Sequence, residues 1–85
     1  YPANPAAIVN AAHLLIEEGQ TGEAIQLMEA SEAAQAPQVL NALGVAYAHE
    51  KQYTRAQELF QQAEQAGSQD AKINLREIQE VINDL

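Results

Sequence analysis

Apolar residues recur along the chain at intervals of three and four, which is the spacing of one face of an α-helix. The last such series steps by four, three, four and three through Ala71, Leu75, Ile78, Ile82 and Leu85. Runs of β-branched residues, which favour strands, are absent from the sequence. The pattern therefore predicts an all-α protein. Capping and helix-breaking residues divide it into five predicted helices, at about 6–18, 22–34, 38–50, 53–66 and 70–84.

Capping residues mark the predicted helix ends. Asn4 can cap the first helix, and Pro5 follows at the first helical position, where its missing N–H is tolerated. Pro37 restarts the chain in the same way, and Gly19 and Gly67 suit the left-handed position after a helix. Every connection is short, so consecutive helices are expected to be antiparallel neighbours. The other predicted caps are Gln20-Thr21 for the second helix and Ser68 or Asp70 for the fifth.

The chain repeats itself at an offset of 32 residues. At this offset small residues fall on small ones and large residues on large ones. The matching pairs include Ile8 with Leu40, Ala12 with Gly44, Leu15 with Tyr47, Ala24 with Ala56, and Met28 with Phe60. Each repeat contains two predicted helices, and repeats of this length are typical of a stacked array of helix pairs.

Gly44 stands in the middle of the third predicted helix, beside Leu43 and Tyr47 on its apolar face. We interpret this glycine as a packing device, because a side chain there would hold a neighbouring backbone away. Ala56 and Ala63 provide a similarly small surface on the next helix. The two helices are therefore expected to approach closely, at an interaxial distance nearer ~8 Å than ~10 Å.

The second unit resembles the tetratricopeptide repeat, whose pattern places Leu-Gly and Tyr on the first helix and Ala, Phe and Ala on the second. In this sequence the positions of that pattern are occupied by Leu40, Leu43-Gly44, Tyr47, Lys51, Tyr53, Ala56, Phe60 and Ala63. Lys51 replaces the usual turn glycine, and Ser68 replaces the usual proline near the repeat end. The first unit is two residues shorter than the usual length of about 34, and we place the deletion before Pro37. It matches more loosely, with Ile8, Ala11-Ala12, Leu15, Gly19, Thr21, Ala24, Met28 and Ser31.

The resemblance implies a right-handed stack of antiparallel helix hairpins. The expected organisation is a single domain over 1–85, with repeats at 5–36 and 37–70 and a capping helix at 71–85. Docking of that last helix to another subunit through Ile73 and Val81 is the alternative to capping. The first five residues read like an interdomain linker, and two repeats are fewer than the three usually needed. We therefore interpret the sequence as a piece of a longer protein.

Charge and composition exclude several classes of function. The net charge is −8, and the four Lys and Arg residues all lie beyond residue 50, whereas the first fifty residues carry six glutamates. This composition argues against a nucleic-acid partner, which needs several basic residues on one face. The absence of cysteine excludes disulfides and cysteine-ligated metals. No apolar run approaches the roughly 20 residues of a membrane span, and nothing in the sequence indicates a compartment.

Catalytic motifs are equally absent, since the sequence contains no Gly-x-Ser-x-Gly and no phosphate-cradling loop. His13, Glu17 and His49 form the one arrangement that could bind a metal, because the first two lie four residues apart on one helix. We interpret them instead as polar residues of an exposed face, because no further carboxylate is evident that would hold the histidine rings in place. The sequence thus predicts neither an enzyme nor a cofactor.

The resemblance implies a protein-binding or peptide-binding scaffold that uses the concave face lined by the first helix of each repeat. The alternative is a structural or self-association module. Chaperone-tail binding is not favoured, because Val9 and His13 stand where that subfamily carries Lys and Asn. The partner is expected to be another protein or peptide, preferentially basic. The candidate residues are Val9, His13, Ile16, Glu17, Asn41, Val45, Ala48, His49, Lys72 and Gln79, with Leu75 also considered.

Overall fold

The computed structural model describes residues 4–85, which fold into five α-helices joined by short connections. No strand is present in this part of the chain, so the predicted all-α class is confirmed. None of the helices in it is long and apolar enough to cross a membrane. The helices are α1 (Pro5–Glu17), α2 (Thr21–Glu29), α3 (Pro37–His49), α4 (Tyr53–Gln65) and α5 (Gln69–Asn83).

The second helix ends earlier than the sequence predicted. It stops at Glu29 rather than near residue 34, and residues 30–36 form a series of turns before Pro37 opens α3. The hydroxyl of Ser31 accepts a hydrogen bond from the Ala33 N–H at 2.9 Å. Such a local side-chain bond offers the backbone an alternative to continuing the helix. The second helix of the first repeat thus has 9 residues, against 13 in α4. The two repeats nevertheless have the same length, because α1, α3 and α5 begin at regular intervals of 32 residues.

Two of the predicted N-caps are confirmed. The side chain of Asn4 accepts hydrogen bonds from two N–H groups of the first turn, at 3.0 and 3.5 Å. Ser68 caps α5 by accepting from the Ala71 N–H at 3.1 Å, and Asp70 lies inside the first turn. The predicted cap of α2 is wrong, because Gln20 makes no side-chain capping bond and Thr21 is a buried first residue of the helix.

Three helices end in the same left-handed turn. Gly19, Lys51 and Gly67 have φ angles of 81°, 62° and 109°. In each turn the N–H of the next residue bonds to the carbonyl five residues before it, at 2.7, 3.0 and 2.9 Å. This bond satisfies a carbonyl that the helix end would leave without a partner. Lys51 therefore occupies a position where glycine is the favoured residue.

The helices form two layers around an alanine-rich core. Each helix contacts the next along the chain, and α3 also contacts α1 and α5. This places α1, α3 and α5 in one layer, called here the inner layer, and α2 and α4 in the other. Met28, Leu59 and Val39 are the largest fully buried side chains. The fully buried alanines, which keep the helices close, are Ala12, Ala24, Ala46, Ala56, Ala63 and Ala71.

Gly44 faces an aromatic ring across the contact between α3 and α4. A Cβ atom at Gly44 would lie 2.4 Å from Cε1 and 2.6 Å from Cδ1 of Phe60. Both residues are buried, with Phe60 only 3% exposed. The glycine is therefore a packing device, with one correction to the sequence interpretation: it makes room for a ring, not for a neighbouring backbone.

Candidate functional site

The exposed face of the inner layer contains two neighbouring recesses. The first, of about 560 Å³, lies among α1, α3 and the start of α5. The second, of about 320 Å³, lies between the end of α3 and the second half of α5, with Tyr53 and Phe60 of α4 at its base. Val45 and Asn74 line both recesses. They therefore join into one surface, which we call the inner groove.

Six of the ten sequence-predicted site residues line this groove. Val9, His13, Asn41 and Val45 lie around the first recess. Ala48 and His49 join Val45 around the second. The four that line neither recess are Ile16, Glu17, Lys72 and Gln79.

The four remaining residues have different surroundings. Ile16 is half-buried and packs against the core, whereas Glu17 is the exposed last residue of α1. Lys72 and Gln79 are exposed on a different side of α5. At the offset of 32 residues they correspond to Leu40 and Tyr47 of α3. Leu75, also considered from the sequence, packs against Ala56 and Phe60.

The groove residues of α5 were missed, although the sequence contained a signal for them. Adding 32 to five of the six groove positions of α3 gives five of the six positions of α5 that line the groove. The exceptions are Ala48 of α3 and Ile78 of α5. The five corresponding pairs are Gln38 with Asp70, Asn41 with Ile73, Ala42 with Asn74, Val45 with Glu77, and His49 with Val81.

A hydrogen-bonded pair of amides connects two walls of the groove. Asn74 donates from Nδ2 to Oδ1 of Asn41 at 2.9 Å, and both side chains are part-buried. A carboxamide has two donor hydrogens and an acceptor oxygen. The amide nitrogen of Asn41 and the oxygen of Asn74 are therefore suited to pair with the backbone of an extended ligand.

The groove carries carboxylates and imidazoles among its apolar residues. Asp70 and His13 line the first recess, and Glu77 and His49 line the second. None of the residues lining the two recesses is Lys or Arg. An excess of one sign of charge around a concave surface favours ligands of the opposite sign. The groove is thus suited to a positively charged ligand.

The candidate metal ligands are not brought together. Within residues 4–85, no three His, Asp or Glu side chains form a group that could hold a metal ion. His13 and His49 line different recesses. The arrangement with Glu17 considered from the sequence therefore has no geometric support in these residues.

Comparison with known proteins gives a family match for one helix pair of the chain. A family model described as Tetratricopeptide repeat matches residues 37–66, which comprise α3 and α4. The helix pair of α3 and α4 is therefore similar to a tetratricopeptide repeat. Comparison with curated proteins and with solved structures gave no match.

The match to the tetratricopeptide repeat indicates a general kind of role. Repeats of this family generally form non-catalytic scaffolds, and domains built from them typically bind other proteins. The five helices of the described residues are consistent with two such helix pairs and one further helix. The described fold is therefore consistent with a tetratricopeptide-like stack, and the match suggests a protein-interaction scaffold in general.

Proposed function

We propose that this protein is a non-catalytic scaffold that binds a peptide segment of a partner protein in the inner groove. The observation that carries this proposal is the continuity of the two recesses through Val45 and Asn74. Val9 and Val81 provide further apolar contacts at opposite ends of the groove. Apolar pockets combined with a few directed polar groups are the usual features of a binding site.

The ligand is a short segment with apolar anchors and positive charge. Asp70 and Glu77 line the groove, and the surrounding N-terminal half carries six glutamates in fifty residues without Lys or Arg. Complementary charge mainly sets the association rate and the choice of partner. The preference for basic segments should weaken as salt rises, because the Debye length falls below about 10 Å above 0.1 M ionic strength. The affinity should be modest, roughly micromolar, because ordering the peptide opposes binding.

Self-association is the second candidate function, and one observation favours it. Ile73 and Val81 are 57% and 40% exposed on the groove side of α5. Two copies could bury these side chains against each other. Sedimentation of the chain over a range of concentrations separates the two functions. A scaffold for peptides remains monomeric, whereas a self-association module increases in mass with concentration.

A titration followed by NMR tests the groove with two peptides that share the same apolar residues, one basic and one acidic. The basic peptide should shift the signals of Val9, His13, Asn41 and Val45, and the acidic peptide should not. Val81→Lys should weaken binding, because it removes an apolar contact from the second recess and places there a positive charge that repels a basic peptide. Leu85→Lys is the matched control, since Leu85 is exposed outside the groove. Equal shifts with both peptides, or shifts confined to α2 and α4, would contradict the proposal.

A further inference from the structure

Three equivalent positions of the inner groove alternate between apolar and polar side chains. Val9 of α1, Asn41 of α3 and Ile73 of α5 follow one another at the offset of 32 residues, and all three line the first recess. The helix α3 lies between the other two, because it packs against both, whereas α1 and α5 make no contact with each other within their described ranges. Val9 is half-buried and Ile73 is 57% exposed. Two apolar side chains with surface left to cover therefore stand on opposite walls, with an amide between them.

The amide pair between the walls favours a ligand in an extended conformation. The bond from Asn74 to Asn41 uses one donor hydrogen of Asn74 and the oxygen of Asn41. It leaves the donor hydrogens of Asn41 and the oxygen of Asn74 for a ligand. An α-helix bonds its own backbone N–H and C=O groups internally, whereas an extended segment has them free to pair. An extended segment is therefore the ligand that both free amide groups can bind.

The distance between the walls sets the spacing of the ligand's apolar anchors. Packed helices lie about 8–10 Å apart, and two such steps separate α1 from α5. An extended chain rises about 3.3 Å per residue, so the span of roughly 16–20 Å corresponds to about five or six residues. Side chains of an extended chain alternate between two faces, and only an even separation points both anchors into the groove. The anchors are therefore about six residues apart.

The negative charge of the groove lies on the α5 wall. Asp70 and Glu77 stand one helical turn before and one turn after Ile73, and both line the groove. The α1 residues that line the first recess include no carboxylate; they are Ala6, Val9, Asn10 and His13. A basic side chain of the ligand is therefore favoured beside the anchor that packs on Ile73, and not beside the anchor on Val9.

A second folded copy of this chain does not offer such a segment. Three of its four basic residues, Arg55, Lys72 and Arg76, lie within helices. The fourth, Lys51, lies in the short turn between α3 and α4. None of them belongs to an extended stretch long enough to reach across three helices. The chemistry of the groove thus points to a segment of a different protein.

Taking the proposed function as the basis, we infer that the inner groove binds an extended segment that crosses α1, α3 and α5. The segment has two apolar side chains about six residues apart and Lys or Arg directly beside one of them. Val9 and Ile73 hold the two apolar anchors, and the amides of Asn41 and Asn74 pair with the backbone between them. Asp70 and Glu77 attract the basic end, so the basic end lies on α5.

Three synthetic peptides of identical composition test the spacing and the place of the charge. The first has leucines at positions i and i+6 and two lysines directly beside one leucine. In the second the leucines are at i and i+5, and in the third the lysines lie midway between the leucines. In NMR titrations the first peptide should bind roughly three- to tenfold more tightly than the second, which loses one partly buried anchor. It should bind roughly two- to fivefold more tightly than the third, the ratio that an exposed ion pair provides.

The direction of the bound segment is tested with a spin label on the first peptide. A label at the lysine end should broaden the signals of Ile73 and Asn74, and a label at the other end should broaden those of Val9 and His13. Broadening of both walls by either label would overturn the inference.

Variants of the protein separate the two features of the ligand. Ile73→Ser should remove the difference between the first two peptides, and Leu14→Ser is the matched control, because Leu14 is 60% exposed and lines neither recess. Asp70→Asn combined with Glu77→Gln should remove the difference between the first and third peptides. Circular dichroism should show an unchanged fold for all of them, since each substituted side chain is exposed.

Failure of this inference is distinguishable from failure of the proposed function. If all three peptides shift groove signals with equal affinity, the groove binds basic peptides without selecting the spacing, and only the extended crossing is wrong. A bound peptide with the nuclear Overhauser pattern of a helix would lead to the same conclusion. If no peptide shifts the signals of Val9, Asn41 or Val45, both the inference and the proposed function are wrong.

Discussion

Two glycines lie inside helices of this protein, and their surroundings differ completely. Gly44 is buried against the ring of Phe60, at a distance that leaves no room for a Cβ atom. Gly22 is exposed in α2, and a Cβ atom there would have no neighbour within 4 Å. Glycine in a helix costs roughly 0.5–1 kcal/mol relative to alanine because it is more flexible in the unfolded chain. Only Gly44 has a packing contact that offsets this cost.

Substitution by alanine should therefore have opposite effects at the two positions. Gly44→Ala should lower the free energy of unfolding by about 1–3 kcal/mol, because the buried ring of Phe60 has to move. Gly22→Ala should raise it by roughly 0.5–1 kcal/mol. Chemical denaturation measures both changes. Gly44→Leu and Ala30→Leu compare added volume at a buried and at an exposed position. A greater loss of stability for Ala30→Leu would show that the contact between α3 and α4 is wrongly described.

At the scale of the helices, α1, α3 and α4 end with the same hydrogen bond but not with the same residue. Two of the turns use glycine, and α3 uses Lys51 with a φ of 62°. A residue with a Cβ atom pays roughly 1–2 kcal/mol for this left-handed conformation. The hydrogen bond of 3.0 Å that follows Lys51 and the packing of α3 against α4 hold the turn in place despite that cost.

Lys51→Gly should raise the free energy of unfolding by about 0.5–1 kcal/mol, which is the relief of the left-handed strain less the added flexibility of the unfolded chain. Gly19→Lys should lower it by a similar amount, because its φ of 81° places a side chain in the same strained region. Lys51→Ala is the control and should change little. Thermal unfolding of the three variants measures these changes. A loss of stability in Lys51→Gly would contradict the prediction that the turn at Lys51 is strained.

At the scale of the whole molecule, α5 covers the apolar surface left by the second hairpin. Ile78 is 5% exposed and clusters with Ala56 and Phe60. On another side of the same helix, Ile73 is 57% exposed. A stack of this size has only about 5–10 kcal/mol of stability. We therefore expect α5 to be required for folding.

Deletion of residues 71–85 should expose Phe60 and cause unfolding or aggregation. Within the full chain, Ile78→Ala should lower the free energy of unfolding by about 2–5 kcal/mol through loss of buried surface and a residual cavity. Ile73→Ala is the matched control and should cost within about 0.5 kcal/mol, as exposed substitutions usually do. Light scattering and thermal unfolding report the outcomes. A truncated chain that stays monomeric with an unchanged melting temperature would show that α5 is not a cap.

The helix starts were largely predictable from the sequence, because they depend on local chemistry. Each predicted start lies within one residue of the observed one. At α1, α3 and α5 the reason is local, since a proline or a capping side chain acts on its own turn. The end of α2 was not predictable in the same way. No glycine follows Glu29 to mark the helix end. The hydrogen bond to the Ser31 hydroxyl leaves no trace in the spacing of apolar residues along the sequence.

The sequence by itself determined the helix pairs and the offset between them, because spacing of apolar residues and family pattern are both properties of the chain. Tertiary structure alone decided which surfaces remain open. The ring that fills the space at Gly44 belongs to another helix, and the bond between Asn41 and Asn74 joins residues 33 positions apart. Leu14 and Ala46 occupy equivalent places in the repeat, yet one is exposed and the other buried. The difference arises because a preceding helix packs on the second hairpin and none of the described helices packs in that way on the first.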